Sequence, residues 1–172
     1  GKSTLLKAMA QLIPYSGSLT LEGKELSRWD ARQRSRRVGY LPQITGFHQA
    51  FTVYEVIEMA RFSFGDRWGR SRASGDSVER CLRRLDVWHL RDRLVPQLSG
   101  GEAQRIRLAQ LLAQEADWLL LDEPTSALDL SQQAALEKLL GELRGEGKSL
   151  LLASHDFNLL RRIASRLLLL HQ

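Results

Sequence analysis

The sequence predicts an α/β fold built on a parallel sheet, and two observations predict it. From Gln97 onward, short and uniformly apolar runs alternate with amphipathic stretches. The runs are Trp118 to Leu121, Ser149 to Ala153 and Leu167 to Leu170. A strand covered on both faces reads as a continuous apolar run, and helices between such runs are the signature of a parallel sheet. The stretch from Phe47 to Pro96 carries no such run and reads as a helical insert. The chain therefore divides into 1–46, 47–97 and 98–172, with the sheet drawn from both sides of the insert.

Each element has a local reason. Thr4 to Leu12 places Leu5, Met9 and Leu12 on one helical side, and Pro14 stops it. Ser18 to Glu22 alternates toward a short strand, with Gly23-Lys24 as a turn. Arg32 to Arg37 is polar and basic, Val38 to Leu41 is a strand ended by Pro42, and Gln43 to Gln49 is a loop. Thr52 and Glu55 form a capping box ahead of a helix whose buried side is Val56, Ile57 and Ala60. Arg67 to Asp76 reads as a polar, mobile stretch, and Asp76 to Leu85 as an amphipathic helix. A helix after Gly101 follows, then the alternating strands, with helices over Ser131 to Leu143 and after Asp156.

Composition narrows the function. The 172 residues suffice for one domain with a sizeable core. No apolar run reaches the ~18 residues of a membrane span. A single cysteine, Cys81, excludes an internal disulfide framework or zinc ribbon and fits a reducing, cytoplasmic setting. It shares an apolar stripe with Val78, Leu82 and Leu85 and reads as a core thiol. The net charge of +5 comes mostly from arginines dense between Arg61 and Arg107. No aromatic interleaving or nucleic-acid motif accompanies them, so they read as a solvated face rather than a nucleic-acid or lipid surface.

Several residues are typed and spaced for phosphate chemistry. Gly1-Lys2-Ser3-Thr4 is the second half of the phosphate-binding loop G-x-x-x-x-G-K-[ST]. A lysine opening a helix reaches β- and γ-phosphates while the helix-start N–H groups cradle them. Ser3 can ligate Mg²⁺. Asp122 ends an apolar strand, where a carboxylate enters the ligand crevice of an open α/β sheet and can hold Mg²⁺ through water. Glu123 is the candidate general base for an attacking water. The two carboxylates are expected to avoid each other, because successive side chains leave a strand in opposite directions. Leu98-Ser99-Gly100-Gly101-Glu102 puts a hydroxyl and two glycines at a helix start, suited to close approach by a phosphate. His155 follows a strand end and can touch a γ-phosphate, and Gln43 can offer Mg²⁺ an amide oxygen. His48, His89 and His171 lack such a setting and read as surface or packing residues.

Together these pieces resemble the ATP-binding cassette (ABC) ATPases, over essentially the whole chain. Gly1 to Thr4 matches the end of Walker A, Gln43 the Q-loop and Leu98 to Glu102 the signature. Leu119 to Asp122 with Glu123 matches Walker B and its glutamate, Ser126-Ala127-Leu128-Asp129 the D-loop, and His155 the switch histidine. The resemblance implies a P-loop NTPase (RecA-like) core with a helical subdomain at 47–97. It implies ATP and Mg²⁺ as ligands and two subunits docked head to tail. Ser99 and Gly101 of one subunit would then meet the γ-phosphate held by Lys2 of the other, with Asp129 linking the sites. Integral membrane permease subunits, and indirectly a substrate-binding protein, are the implied partners, and nucleic acid is not. The implied location is the cytoplasmic face of the membrane.

A narrower likeness lies in Leu41-Pro42-Gln43, Thr52 to Val56, Ala60-Arg61-Phe62, and Leu128-Asp129-Leu130 with Gln132 and Gln133. These look like the importer ATPases for iron-siderophore, haem and cobalamin. Ala60-Arg61-Phe62-Ser63-Phe64 departs from the Gly-Arg and Pro-His usual there, and manganese and zinc importers are close. The competing reading is a soluble ABC ATPase acting on nucleic acid or the ribosome. The insert lacks the heptads and cysteine clusters expected of that class. A non-functional fragment is the third. The strand before Walker A, the loop's first half and the adenine-stacking aromatic are not in this sequence, which predicts poor stability and weak ATP binding for this chain alone.

Overall fold

The computed structural model describes residues 1–43, 50–64, 72–126 and 128–170. His48, His171, Ala127, Arg67 and Arg70 lie outside them. Helix α1 (Lys2–Met9) is followed by a hairpin, β1 (Thr20–Leu21) and β2 (Lys24–Glu25), with Thr20 opposite Glu25. Its turn is one residue earlier than the sequence suggests. Glu22 and Gly23 both carry positive φ (53° and 76°), the pairing that matches the twist of hairpin strands. Ser18 Oγ and Leu19 N donate to the Glu25 carboxylate and tie the hairpin's base.

Helix α2 (Ala31–Ser35) occupies the stretch read only as polar and basic. Asp30 nucleates it by accepting from Gln33 N at 2.8 Å. Then come β3 (Val38–Leu41), α3 (Val53–Ala60), α4 (Arg72–Arg84), α5 (Gly100–Ala113), β4 (Trp118–Asp122), α6 (Leu130–Gly145), β5 (Ser149–Ala153) and α7 (Phe157–Ile163). The Thr52–Glu55 capping box of α3 is as expected. Helix α4 begins inside the stretch read as polar and mobile, four residues ahead of Asp76.

Strands β3, β4 and β5 form a parallel sheet in that order. Leu41 pairs with Leu121 and Asp122 with Ala153, so the three strands end along one edge. The strand period of two sorts β4 between two cores. Leu119 and Leu121 join Leu41 in the large core with α3, α4, α5 and α6. Leu120 packs with Leu6 of α1 and Ala153, beside Met9 and Tyr40. Fully burying one such leucine contributes about 1.5–3 kcal/mol. Gly39 lets β3 approach α5: a Cβ there would lie 2.7 Å from Leu111 Cδ1.

The insert shares the large core rather than forming its own, through Val53, Val56, Ile57, Val78, Leu82, Leu90 and Val95. It also contains a strand-like contact that apolar runs did not reveal. Thr52 bridges Leu94 in antiparallel fashion, and Val95 N donates to Phe51 O at 2.9 Å. Buried Arg61 donates to Ser77 Oγ, Ala113 O and Glu115 Oε1, joining α3, α4 and the end of α5.

Among the described residues, several arginines of the basic face are paired within the chain. Arg84 meets Glu142 and Glu146, Arg83 meets Glu79, and Arg93 meets Glu102. Arg83 and Arg91 both stand over the Trp88 ring. Cys81 packs against the large core, and burial pushes its thiol above the ordinary value. Among the described residues, no helix is long and apolar enough to cross a membrane.

One expected strand is absent. Residues 167–170 take no regular structure, and Leu169 is 83% exposed. An apolar run becomes a strand only where a neighbouring ladder accepts its backbone. Among the described residues nothing pairs with this run, and β5 is hydrogen-bonded to β4 alone.

Candidate functional site

At the sheet edge where β3, β4 and β5 end, two consecutive residues of α1 meet two consecutive carboxylates. Asp122 lies on the α1 side of β4, in phase with Leu120, and is 1% exposed. Ser3 Oγ donates to Asp122 Oδ1 at 2.9 Å. Lys2 Nζ lies 3.3 Å from Glu123 Oε1. A Ser3 hydroxyl beside an Asp122 carboxylate is a hard oxygen set, of the kind that holds a Mg²⁺ ion retaining several waters.

Glu123 does not leave β4 on the opposite face, as simple alternation predicts. The strand stops at Asp122, and Glu123 turns with φ 48°, a left-handed conformation costly for a residue with a Cβ. Its N–H donates to Ala153 O at 2.8 Å and its carbonyl accepts from Ser126 N, which hold the turn. The result is a carboxylate between Lys2 and His155, whose Nδ1 lies 2.8 Å from Glu123 Oε2. Burial pushes the Glu123 carboxyl up, but His155 and Lys2 outweigh it and leave the group below the ordinary value. A base kept ionised but shielded from bulk water suits the activation of one ordered water.

His155 itself follows β5 and is largely exposed, with Nδ1 on Glu123. Asp156 caps α7 immediately after it, accepting from Asn158 N and Leu159 N. Gln43 is exposed and lines a cleft of about 840 Å³ together with Ser3, Tyr40, Arg107 and Asp122. Gly1 and Thr4 flank the cluster and are exposed.

The signature stretch stands apart. Ser99 caps α5 and forms a capping box with Glu102: Ser99 N donates to Glu102 Oε2 at 2.8 Å, and Glu102 N to Ser99 Oγ at 3.3 Å. Those bonds draw the Glu102 carboxyl below its ordinary value. Gly100 is exposed, Gly101 half-buried, and Leu98 packs against the large core. Asp129 caps α6 in the same manner, accepting from Gln132 N and Ser131 Oγ at 2.8 Å. No hydrogen bond or ion pair among the described residues joins Ser99, Gly101 or Asp129 to Lys2, Ser3, Asp122 or Glu123.

Tyr40 is a residue of the site that motif reading does not reach. Tyr40 Oη donates to Asp122 Oδ2 at 3.3 Å, so both oxygens of that carboxylate have partners within the chain. Burial, then the Asp122 charge, pushes the Tyr40 phenol up to about 12. Strand register makes this contact: Tyr40 pairs with Leu120, two residues before Asp122 on the same sheet face. Gln104, 1% exposed, donates to Pro124 O at 2.9 Å and accepts from Arg107. It ties the signature helix to the loop after Glu123, and in the sequence it is marked by its place, with Arg105, directly behind the signature stretch.

Comparison with known proteins shows the family and the fold. The family model described as ABC transporter matches residues 1–126. The chain is 40% identical to a hemin import ATP-binding protein of Pseudomonas putida, covering 100% of this chain and 69% of that protein. It is 36% identical to a probable siderophore transport system ATP-binding protein of Bacillus subtilis, covering 97% and 62%. Its fold is similar to that of the ATP-binding cassette MJ0796, solved as a dimer in a post-hydrolysis state bound to ADP and Pi. That match has a TM-score of 0.83 at 25% identity, covering 94% of this chain and 73% of that one. The chain thus spans 62–69% of the length of these two sequence relatives.

Proposed function

The chain belongs to the ABC transporter family as its ATP-binding ATPase component, and from that premise we propose that the complete protein powers import of an iron chelate or haem. The observation that carries the ATPase reading is the pairing of Lys2 and Ser3 with Glu123 and Asp122 at one sheet edge. In the proposed division of labour, 1–46 and 98–172 are the ATPase core and 47–97 the helical subdomain.

Lys2 and the N–H groups opening α1 hold the β- and γ-phosphates of ATP, with Gly1 and Thr4 beside them. Ser3, Asp122 and Gln43 hold Mg²⁺, whose role is to neutralise charge between the phosphates. Nucleotide draws Lys2 away from Glu123, which then orients and deprotonates the attacking water. His155, already on Glu123, contacts the γ-phosphate. A second subunit docks head to tail and supplies Ser99, Gly101 and the rest of Leu98 to Glu102, while Asp129 connects the two sites. These donors act on charge that develops only during transfer, which is where preorganised dipoles accelerate most. The helical subdomain and the stretch after Gln43 pass closure to a permease at the cytoplasmic face of the membrane. The importer reading is supported by the hemin, siderophore and achromobactin transport functions named for relatives.

The test is recovery of the tagged complete protein from detergent-solubilised membranes of its own cell. Co-purification with an integral membrane protein, and ATP turnover that responds to it, is expected. Recovery only with nucleic acid or ribosomes would replace the importer with the soluble class.

A further inference from the structure

Two neighbouring glutamines, Gln132 and Gln133, remain once the nucleotide-handling residues are assigned. They stand in the first turn of α6 and bracket a single peptide group. Gln133 Nε2 donates to the Leu128 carbonyl at 3.2 Å, and Asp129 N donates to Gln132 Oε1 at 3.3 Å. That carbonyl and that N–H belong to one planar peptide unit, so both of its polar atoms are held by side chains of the helix that follows.

Gln132 also touches the signature. A Cβ added at Gly101 would lie 2.5 Å from Gln132 Nε2 and 2.7 Å from Oε1. The Gly101 backbone therefore rests on the carboxamide, and a methyl group there would push the end of the Gln132 side chain aside. A glutamine bonded on one side and covered on the other has lost most of its rotamer freedom. It fixes the spacing between the segment at Gly101 and the segment at Asp129.

We propose that Gln132 is a positioning residue that seats the signature backbone at Gly101 against the Leu128–Asp129 peptide, with Gln133 holding the peptide's other polar atom. This rests on the reading that both segments meet nucleotide across a dimer. Among the described residues of one subunit, no hydrogen bond or ion pair joins the pair to Lys2, Ser3, Asp122 or Glu123. Its loss acts on closure of the dimer, not on nucleotide binding by a single subunit.

The experiment uses the complete protein and the variants Gln132→Ala and Gln132→Glu. ATP-driven dimerisation is followed by light scattering with ATP and Mg²⁺ in a Glu123→Gln background. Turnover is followed with Glu123 intact. For Gln132→Ala, ATP affinity of the single subunit and KM stay within about two-fold, while dimerisation and kcat fall roughly ten-fold, as for other residues coupled through direct contact. Gln132→Glu keeps the acceptor for Asp129 N and the bulk beneath Gly101, and recovers most of both. Parent-like dimerisation and kcat in Gln132→Ala overturn the proposal. So do equal losses in both variants, or a parallel loss of single-subunit affinity. A Glu123→Gln protein that stays monomeric with ATP removes the dimer reading and this proposal with it. A parent that dimerises while Gln132→Ala does so equally well removes this proposal alone.

Discussion

The cluster at Lys2, Ser3, Asp122, Glu123 and His155 and the stretch Leu98 to Glu102 differ in how they are built. The first is assembled from residues more than a hundred positions apart, with Asp122 and Glu123 buried and paired. The second is a helix start, exposed at Ser99 and Gly100, whose capping bonds reach only three residues. In the first cluster the two carboxylates are held in place by partners from distant parts of the chain. The second is closed on itself by the Ser99–Glu102 capping box and stands with Ser99 and Gly100 exposed. The contrast is in line with the separate roles proposed for the two regions.

The strongest way to sharpen that contrast is Glu123→Gln in the complete protein. It is expected to keep ATP binding and to lose turnover by roughly 10²–10⁴-fold, the usual contribution of a general base. Phosphate release alongside equilibrium nucleotide binding checks it, and undiminished hydrolysis removes Glu123 from that role. Next in size is Lys2→Ala, which deletes a charge-assisted phosphate contact of about 1.5–3 kcal/mol. Single-subunit ATP affinity is expected to fall by roughly 10- to 150-fold, measured by calorimetry.

Ser99→Ala probes the other region. It is expected to cost about 1 kcal/mol of stability as a lost cap, read in a denaturant melt, and to leave single-subunit ATP affinity unchanged. Loss of that affinity would erase the distinction between the regions. Tyr40→Phe is expected to cost about 0.5–1.5 kcal/mol by removing one partner of Asp122. The parent phenol is pushed up to about 12, so its stabilisation is complete below an ordinary pKa of about 10 and is lost as pH rises toward 12. Tyr40→Phe should flatten that alkaline loss.

The smallest expected effect is at acid pH. The Glu123 carboxyl is held below its ordinary value, so its contribution is present above about pH 4.3 and is lost as pH falls through the lowered value. An acid melt of Glu123→Gln should lack this component. An unchanged acid slope in that variant would mean that Lys2 and His155 do not stabilise the ionised carboxylate.

Much was legible in the linear sequence because much is local. Trp118 to Leu121 and Ser149 to Ala153 read as buried strands because apolar runs of that length have few other uses. Thr52 and Glu55 announced α3 because capping is settled within four residues, and the same pattern stands at Ser99 and Glu102 ahead of α5. Helix α2 was missed although Asp30 carried the same signal, since Arg32 to Arg37 offers no apolar side to read. The run at 167–170 was misread because strand formation needs a neighbour, and no run of leucines records its neighbour.

What the sequence determined by itself was the inventory: a lysine and serine at a helix start, adjacent carboxylates at a strand end, a glycine pair behind a capping serine. These are fixed by spacing along the chain and by side-chain chemistry. The tertiary structure decided what faces what. The period of β4 put Asp122 on the α1 side, the left-handed turn at Glu123 brought the second carboxylate to Lys2 instead of away from it, and register placed Tyr40 over Asp122. Those outcomes depend on strand pairing and on a backbone conformation that only surrounding contacts can hold, and neither is written in the order of the residues.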